Sequence, residues 1–241
     1  MESNIKSKKF RAANLAMQFI EDGMCIGLGT GSTANEFILL LSLAIKNGMN
    51  IKCVATSKKT EDYASILGIP IFELDEIKVL DVTIDGADEF DEQMNLIKGG
   101  GGALLREKIV ASVSKSYVII TDDSKKSINL NTFPLPIEII KFSPKTTMLK
   151  IKSSLIGAGI NVDIQLRKND NGSIFVSDGG NFIVDCACDF IKDPVGVESL
   201  IRSINGVIES GLFVGMADKI VVAHENTIEI IENNITVTVI C

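Results

Sequence analysis

The stretch "MCIGLGTGSTANEFILLLSLAIKNG", residues 24–48, sets a short apolar run against a glycine-rich turn and then a long apolar-periodic segment that stops at Gly48. "MCIGLG" reads as a buried strand, and "TGST" as a loop opening directly into a helix. The same alternation extends in both directions. Before it, residues 3–20 carry apolar positions at helical spacing and end at Gly23. After it come the strand "IKCVAT", the helix "KKTEDYASILG" and, in "IPIF", a short strand after Pro70. The strand "VLDVTI", the helix "GALLREKIVASVSKS" and the strand "YVIIT" complete the series. Strands apolar on both faces, alternating with helices, predict a parallel sheet covered on both sides.

The pattern changes at "NTFPLPIEII", where Pro134 and Pro136 mark a crossing into another unit. A strand (137–141), a helix (145–157) and a strand (161–167) follow. Hairpin strands are expected around "NDNG" and "SDGGN", then a helix from Pro194. This order matches the split β-α-β arrangement of ferredoxin-like domains. The tail strands near "KIVVA", "TIEII" and "TVTVI" are expected to return to the first domain. The predicted fold is therefore α/β, a Rossmann-like parallel-sheet domain over 1–131 and 206–241 with a smaller ferredoxin-like α+β domain over 132–205.

Of 241 residues, 46% are hydrophobic and 23% charged, enough for a substantial core and against long disorder. A net charge of -7 argues against nucleic acid as partner, so an anionic substrate must meet a local positive site. The longest apolar run, "FILLLSLAI" at 37–45, is too short to cross a bilayer, and "MESNIKSKKF" has no apolar segment of a secretory signal behind it. Cys25, Cys53, Cys186, Cys188 and Cys241 include no C-x-x-C pair and join a single histidine, His224. They read as reduced core thiols of a cytosolic protein rather than as a zinc site.

Four segments invite chemistry. "GLGTGST" (27–33) offers backbone N–H groups and the hydroxyls of Thr30, Ser32 and Thr33 at a helix start, suited to phosphate or to simple capping. It lacks the third glycine of the dinucleotide fingerprint and the G-K-[ST] of a Walker loop. "TIDGADEFD" (83–91) crowds four acids at a strand's end. Asp85 and Asp88 sit where parallel sheets bind ligands, and could both face one, magnesium included. Glu89 and Asp91 read as water-facing loop residues. "LIKGGGGALLREK" (96–108) puts Lys98 before four glycines whose N–H groups can converge on an oxygen, with Glu107 in the second turn of the next helix. "DDSKK" places Lys125 at another strand's carboxyl end.

Together "GLGTGSTA", "TIDGADE", "IKGGGGALLREKI" and "TDDSKK", in order and at matching separations, resemble ribose-5-phosphate isomerase of the A type. The likeness continues through "FPLPIEI", "SDGGN" and "GLF"; "KFSPKTTMLKIKSS" follows the family more loosely, and Gly102 stands where alanine is common. The resemblance implies a Rossmann-like domain with a ferredoxin-like companion. It implies interconversion of D-ribose 5-phosphate and D-ribulose 5-phosphate in the pentose phosphate pathway, with no metal or organic cofactor. It further implies a cytoplasmic homodimer or homotetramer whose partner is a small sugar phosphate, neither nucleic acid nor membrane. By the same resemblance Thr30, Gly31, Ser32 and Thr33 bind phosphate with Lys125. Asp85, Gly86, Ala87 and Asp88 form one sugar loop, and Lys98, Gly99, Gly100 and Gly101 another. Glu107 is the general base, with Asp85 and Lys98 assisting ring opening. Three rivals are weighed beside it: a sugar-phosphate sensor, a magnesium-dependent phosphotransferase using Asp85 and Asp88, and a CoA-transferase-like enzyme.

Overall fold

The computed structural model describes residues 2–232 and 235–240. In chain order these form α1 (Glu2–Ala16), β1 (Cys25–Leu28), α2 (Ser32–Lys46), β2 (Lys52–Ala55), α3 (Lys58–Ile66), β3 (Val82–Asp85), β4 (Glu89–Phe90), β5 (Leu96–Ile97), α4 (Leu104–Ser112) and β6 (Tyr117–Asp122). There follow β7 (Leu135–Ile139), α5 (Pro144–Gly157), β8 (Val162–Leu166), β9 (Phe182–Cys188), α6 (Pro194–Arg202), β10 (Val207–Ser210), β11 (Leu212–Phe213), β12 (Lys219–Ala223), β13 (Thr227–Glu232) and β14 (Ile235–Ile240). Two compact units result. The larger is built on Met1–Ala87, Arg106–Lys126 and Met216–Cys241, the smaller on Asp88–Leu105 and Ser127–Gly215.

In the larger unit the sheet runs β14-β13-β12-β6-β3-β1-β2. From β2 through β12 every pairing is parallel, and β13 and β14 close the far edge antiparallel. Every residue of β3 and β6 is buried, the burial that apolar residues on both strand faces require. Helix α2 turns Phe37, Ile38 and Leu41 inward, and α1 contributes Ala12, Ala13 and Ala16, small residues that let it pack closely in the same core. The chain passes from β1 outward to β2, then back across to β3, so the sheet reverses direction between β1 and β3. Loops leaving such a switch point splay apart and leave a crevice at the carboxyl edge. The expected strand "IPIF" shrinks to one bridge, Cys53 to Ile71. Pro70 has no N–H to extend a ladder, and a 3-10 turn follows at Leu74–Glu76.

The smaller unit holds an antiparallel sheet, β10-β7-β9-β8, in a β-α-β-β-α-β chain order with α5 and α6. Ile137, Ile139, Val184 and Cys186 of the sheet pack with Ile151, Leu155, Val197 and Ile201 of the helices. This is the ferredoxin-like arrangement. A second small sheet, β11-β5-β4, belongs to the same unit; its two-residue strands carry no periodicity that sequence could show. Around "NDNG" and "SDGGN" only single bridges form, Lys168 to Ile174 and Val176 to Phe182, rather than full strands.

Cys53, Cys186 and Cys188 are buried free thiols and Cys25 is half-buried; Cys241 lies outside the described residues. Burial, with neighbouring Cys25 in second place, pushes the Cys53 thiol up to about 12. Burial does the same to Cys188. Both stay protonated and inert as nucleophiles at neutral pH.

Candidate active site

In the larger unit the chemistry gathers on three adjacent strands, β1, β3 and β6, at their carboxyl ends. The chain leaves β1 through Gly29, whose N–H donates to Ile84 O at 2.9 Å. A β-carbon on Gly29 would lie 2.2 Å from Asp85 Oδ1, so only glycine lets the loop pass this close to the aspartate. Thr30 is fastened on both sides. Its N–H donates to Asp85 Oδ1 at 3.0 Å, and its hydroxyl joins those of Thr56, Ser57 and Thr60 at 2.8–3.0 Å. Gly31 and Ser32 are then exposed, Thr33 and Ala34 turn inward, and the first turn of α2 has no acidic side chain. A helix start without its own carboxylate leaves its N–H groups and dipole for an external anion.

Asp85 closes β3 fully buried. Its Oδ1 accepts the N–H groups of Thr30 and Gly86, the latter at 2.7 Å, and its Oδ2 accepts the Tyr117 hydroxyl at 3.0 Å. Glu107 is likewise buried, 3% exposed. It stands in the first turn of α4, not the second, because Gly99–Ala103 stays outside the helix. Burial raises the Tyr117 phenol well above its ordinary value, and the charges of Asp85 and then Glu107 push the same way. Two carboxylates thus share one buried neighbourhood around a protonated phenol.

Lys125 ends a 3-10 turn after β6, capped by Asp122, whose side chain accepts the Ser124 N–H at 3.0 Å. Lys9 of α1 also reaches this region. In the structure its ammonium donates to Ser32 Oγ at 2.9 Å, and Lys8 beside it pairs with Asp123 at 2.8 Å. Adjacent residues of α1 therefore hold the glycine loop and the Lys125 turn. Nothing in the polar start of α1 signals this; it depends on where the helix lands. His224 lies just past β12 between Asp123 (3.6 Å) and Glu229 (3.2 Å).

In the smaller unit, Lys98 directly follows β5 and is 2% exposed. Its N–H donates to Gly211 O at 2.9 Å and its ammonium lies 5.6 Å from the Phe213 ring centre. The glycine run is clasped from two sides. Gly100 N–H donates to Asp88 Oδ2 at 2.7 Å, and Arg167 donates to the carbonyls of Gly99 (2.8 Å) and Gly100 (3.0 Å). Arg167 is itself fixed by Asp185, Nε to Oδ2 at 2.9 Å, and stacks on Phe175. Arg167→Ala is expected to lower the free energy of unfolding by about 3 kcal/mol, since it strands a mostly buried aspartate. Urea denaturation would read this, and an unmoved midpoint would remove Arg167 as the loop's brace.

The expectation that Glu89 and Asp91 face water is overturned, for both are buried. Glu89 accepts the N–H groups of Asn131, Thr132 and Phe133 at 2.8–3.1 Å. Asp91 accepts those of Gln93 and Asn95 and the Asn95 side chain at 2.8–2.9 Å. Each carboxylate replaces water with a cage of donors, which makes its burial tolerable.

The family model described as ribose 5-phosphate isomerase A (phosphoriboisomerase A) matches residues 52–227. The chain is similar to a ribose-5-phosphate isomerase A of Rhodopseudomonas palustris (strain BisB18), 46% identical over 224 residues, 93% of this chain and 97% of that one. Among solved structures it is similar to ribose 5-phosphate isomerase from Plasmodium falciparum, with TM-score 0.88 and 36% identity over 97% of this chain and 99% of the other. It is also similar to a D-ribose-5-phosphate isomerase in complex with phospho-erythronic acid, with TM-score 0.88 and 37% identity over 95% and 99% of the two chains.

Proposed function

The chain belongs to the ribose 5-phosphate isomerase A family, and from that premise we infer that it interconverts D-ribose 5-phosphate and D-ribulose 5-phosphate, in the pentose phosphate pathway, with Glu107 as the proton carrier. The observation that carries the assignment of Glu107 is its buried carboxylate beside the Tyr117–Asp85 pair at the carboxyl edge of the sheet. A buried carboxylate whose two oxygens can serve adjacent carbons suits a C2-to-C1 proton shuttle.

The substrate's phosphate sits at the first turn of α2, held by the N–H groups and hydroxyls of Ser32 and Thr33 and by Lys125. Thr30 and Gly31 shape that turn. The furanose opens first. Asp85 takes the proton of the anomeric hydroxyl, the C1–O1 double bond forms, the C1–O4 bond breaks, and O4 takes a proton from Lys98. Glu107 then removes the C2 proton. The electron pair moves into the C1–C2 bond, and negative charge collects on O1. Once Asp85 has released its proton to water and Lys98 has regained one, the Lys98 ammonium and the N–H groups of Gly99 and Gly101 stabilise it, since Gly100 N–H is already given to Asp88. Glu107 then returns its proton to C1 while the O2–H electron pair forms the C2–O2 double bond, and the proton released from O2 passes to O1, which gives the ketose. Gly86 and Ala87 carry the chain past the sugar, and Asp88 holds its hydroxyls.

A single assay tests this reading: ketose formation from ribose 5-phosphate, followed spectrophotometrically with and without chelator. Turnover unaffected by chelator is expected; loss of turnover in chelator would favour a magnesium role for Asp85 and Asp88. Lys125→Ala is expected to raise KM about tenfold with kcat changed less than threefold, the signature of lost uniform binding. An unchanged KM would take Lys125 out of the phosphate site. No helix among the described residues is long and apolar enough to cross a membrane. The free buried thiols support a reducing compartment, so we place the enzyme in the cytoplasm, as a homodimer or homotetramer.

A further inference from the structure

Tyr117 begins β6, a strand whose other residues form hydrophobic core and sheet ladder, and it is only 1% exposed. A phenylalanine would satisfy the packing there. The phenol hydroxyl instead reaches Asp85 across 32 residues of sequence and donates to Oδ2 at 3.0 Å. The other carboxylate oxygen, Oδ1, already accepts two backbone N–H groups, from Thr30 and Gly86. An sp² oxygen has two lone pairs, so Oδ1 is fully engaged, and proton exchange with a sugar falls to Oδ2. That is the oxygen whose direction Tyr117 sets.

We propose that Tyr117 is a positioning residue for ring opening: its hydroxyl orients Asp85 Oδ2 toward the anomeric hydroxyl and takes no part in the C2-to-C1 transfer. The proposal rests on the reading of Asp85 given above. Three donors on one carboxylate fix its plane, which a terminal sp³–sp² torsion does not do by itself. Burial keeps the phenol protonated, with the Asp85 and Glu107 charges acting in the same direction, so the donor persists across the working range of pH. In the step it serves, the anomeric O1–H proton passes to Oδ2, the O–H electron pair becomes the C1–O1 π bond, and the C1–O4 pair leaves with O4, which is protonated. Tyr117 keeps its own proton throughout.

The two half-reactions can be separated, because the ketose, whose O5 is blocked by phosphate and so cannot close a furanose on C2, enters the enzyme open-chain. Tyr117→Phe is expected to lower kcat for ribose 5-phosphate about tenfold to hundredfold, as for loss of a hydrogen bond to a charged group, with KM within about twofold. At saturating C1-deuterated ribulose 5-phosphate, the same variant is expected to lose C1 deuterium, to water or to C2, at a rate within about twofold of the parent. That second rate also certifies the fold. A parallel fall in both rates would place Tyr117 in the Glu107 step or in general stability and overturn the proposal, as would an unchanged kcat for the aldose. If the parent enzyme itself released no deuterium from C1, the isomerase reading would fail first, and the two failures are told apart by that control.

Discussion

Glu107→Gln is expected to lower kcat by roughly 10²–10⁴ while leaving KM for ribose 5-phosphate within about threefold. The amide keeps the shape and volume of the acid and retains a hydrogen-bonding oxygen, so the buried first turn of α4 should fold as before. It cannot take a proton from carbon. The loss therefore falls on a transition-state interaction and not on ground-state binding. Release of deuterium from C2 of the aldose should fall in step with turnover. The site's burial sharpens the test: Glu107 is 3% exposed, so bulk water cannot easily substitute as the base. Turnover like that of the parent enzyme in the glutamine variant would remove Glu107 from the mechanism.

Lys98→Met should reduce kcat/KM by roughly 10²–10³, about 3–4 kcal/mol of transition-state stabilisation. The substitution keeps an unbranched stem of similar length against Phe213, and the backbone bond from residue 98 to Gly211 O does not depend on the side chain. On the role proposed for Lys98, what disappears is the positive charge that stabilises the oxygen as it becomes anionic. Lys98 is 2% exposed, and in such a low-dielectric setting a charge acts more strongly than it would in water. Added ammonium or small primary amines should restore part of the activity. A variant whose kcat/KM falls less than threefold would assign enediolate stabilisation to the glycine N–H groups alone.

Much of the fold was legible because its signals are local. Apolar runs of strand length, helix-period segments and glycine stops lie within windows of ten to twenty residues, and the parallel order follows from strands apolar on both faces. Lys98 and the glycine run stood out for the same reason, since a nest before a helix is a contiguous pattern, whereas the role of Glu107 came from the family resemblance. The misjudged acids show the limit. Asp91 is bonded by residues two and four positions ahead, a local turn that its sequence could have suggested. Glu89 is caged by the backbone of Asn131, Thr132 and Phe133, 42 to 44 residues away. No pattern near Glu89 encodes that cage, so charge density alone pointed to solvent.

By itself, then, the sequence determined the alternation of strands and helices, the two glycine loops and the order in which acids and lysines follow strand ends. Those features depend on backbone propensities and on periodicity, which act between neighbours in the chain. The tertiary structure alone decided which oxygen of Asp85 faces Tyr117, that Arg167 clasps the carbonyls of Gly99 and Gly100 from 67 and 68 residues away, and that Lys9 reaches Ser32. Each of these is a hydrogen bond between groups made neighbours by strand order and helix placement. Its 3 Å geometry exists only once the core has packed.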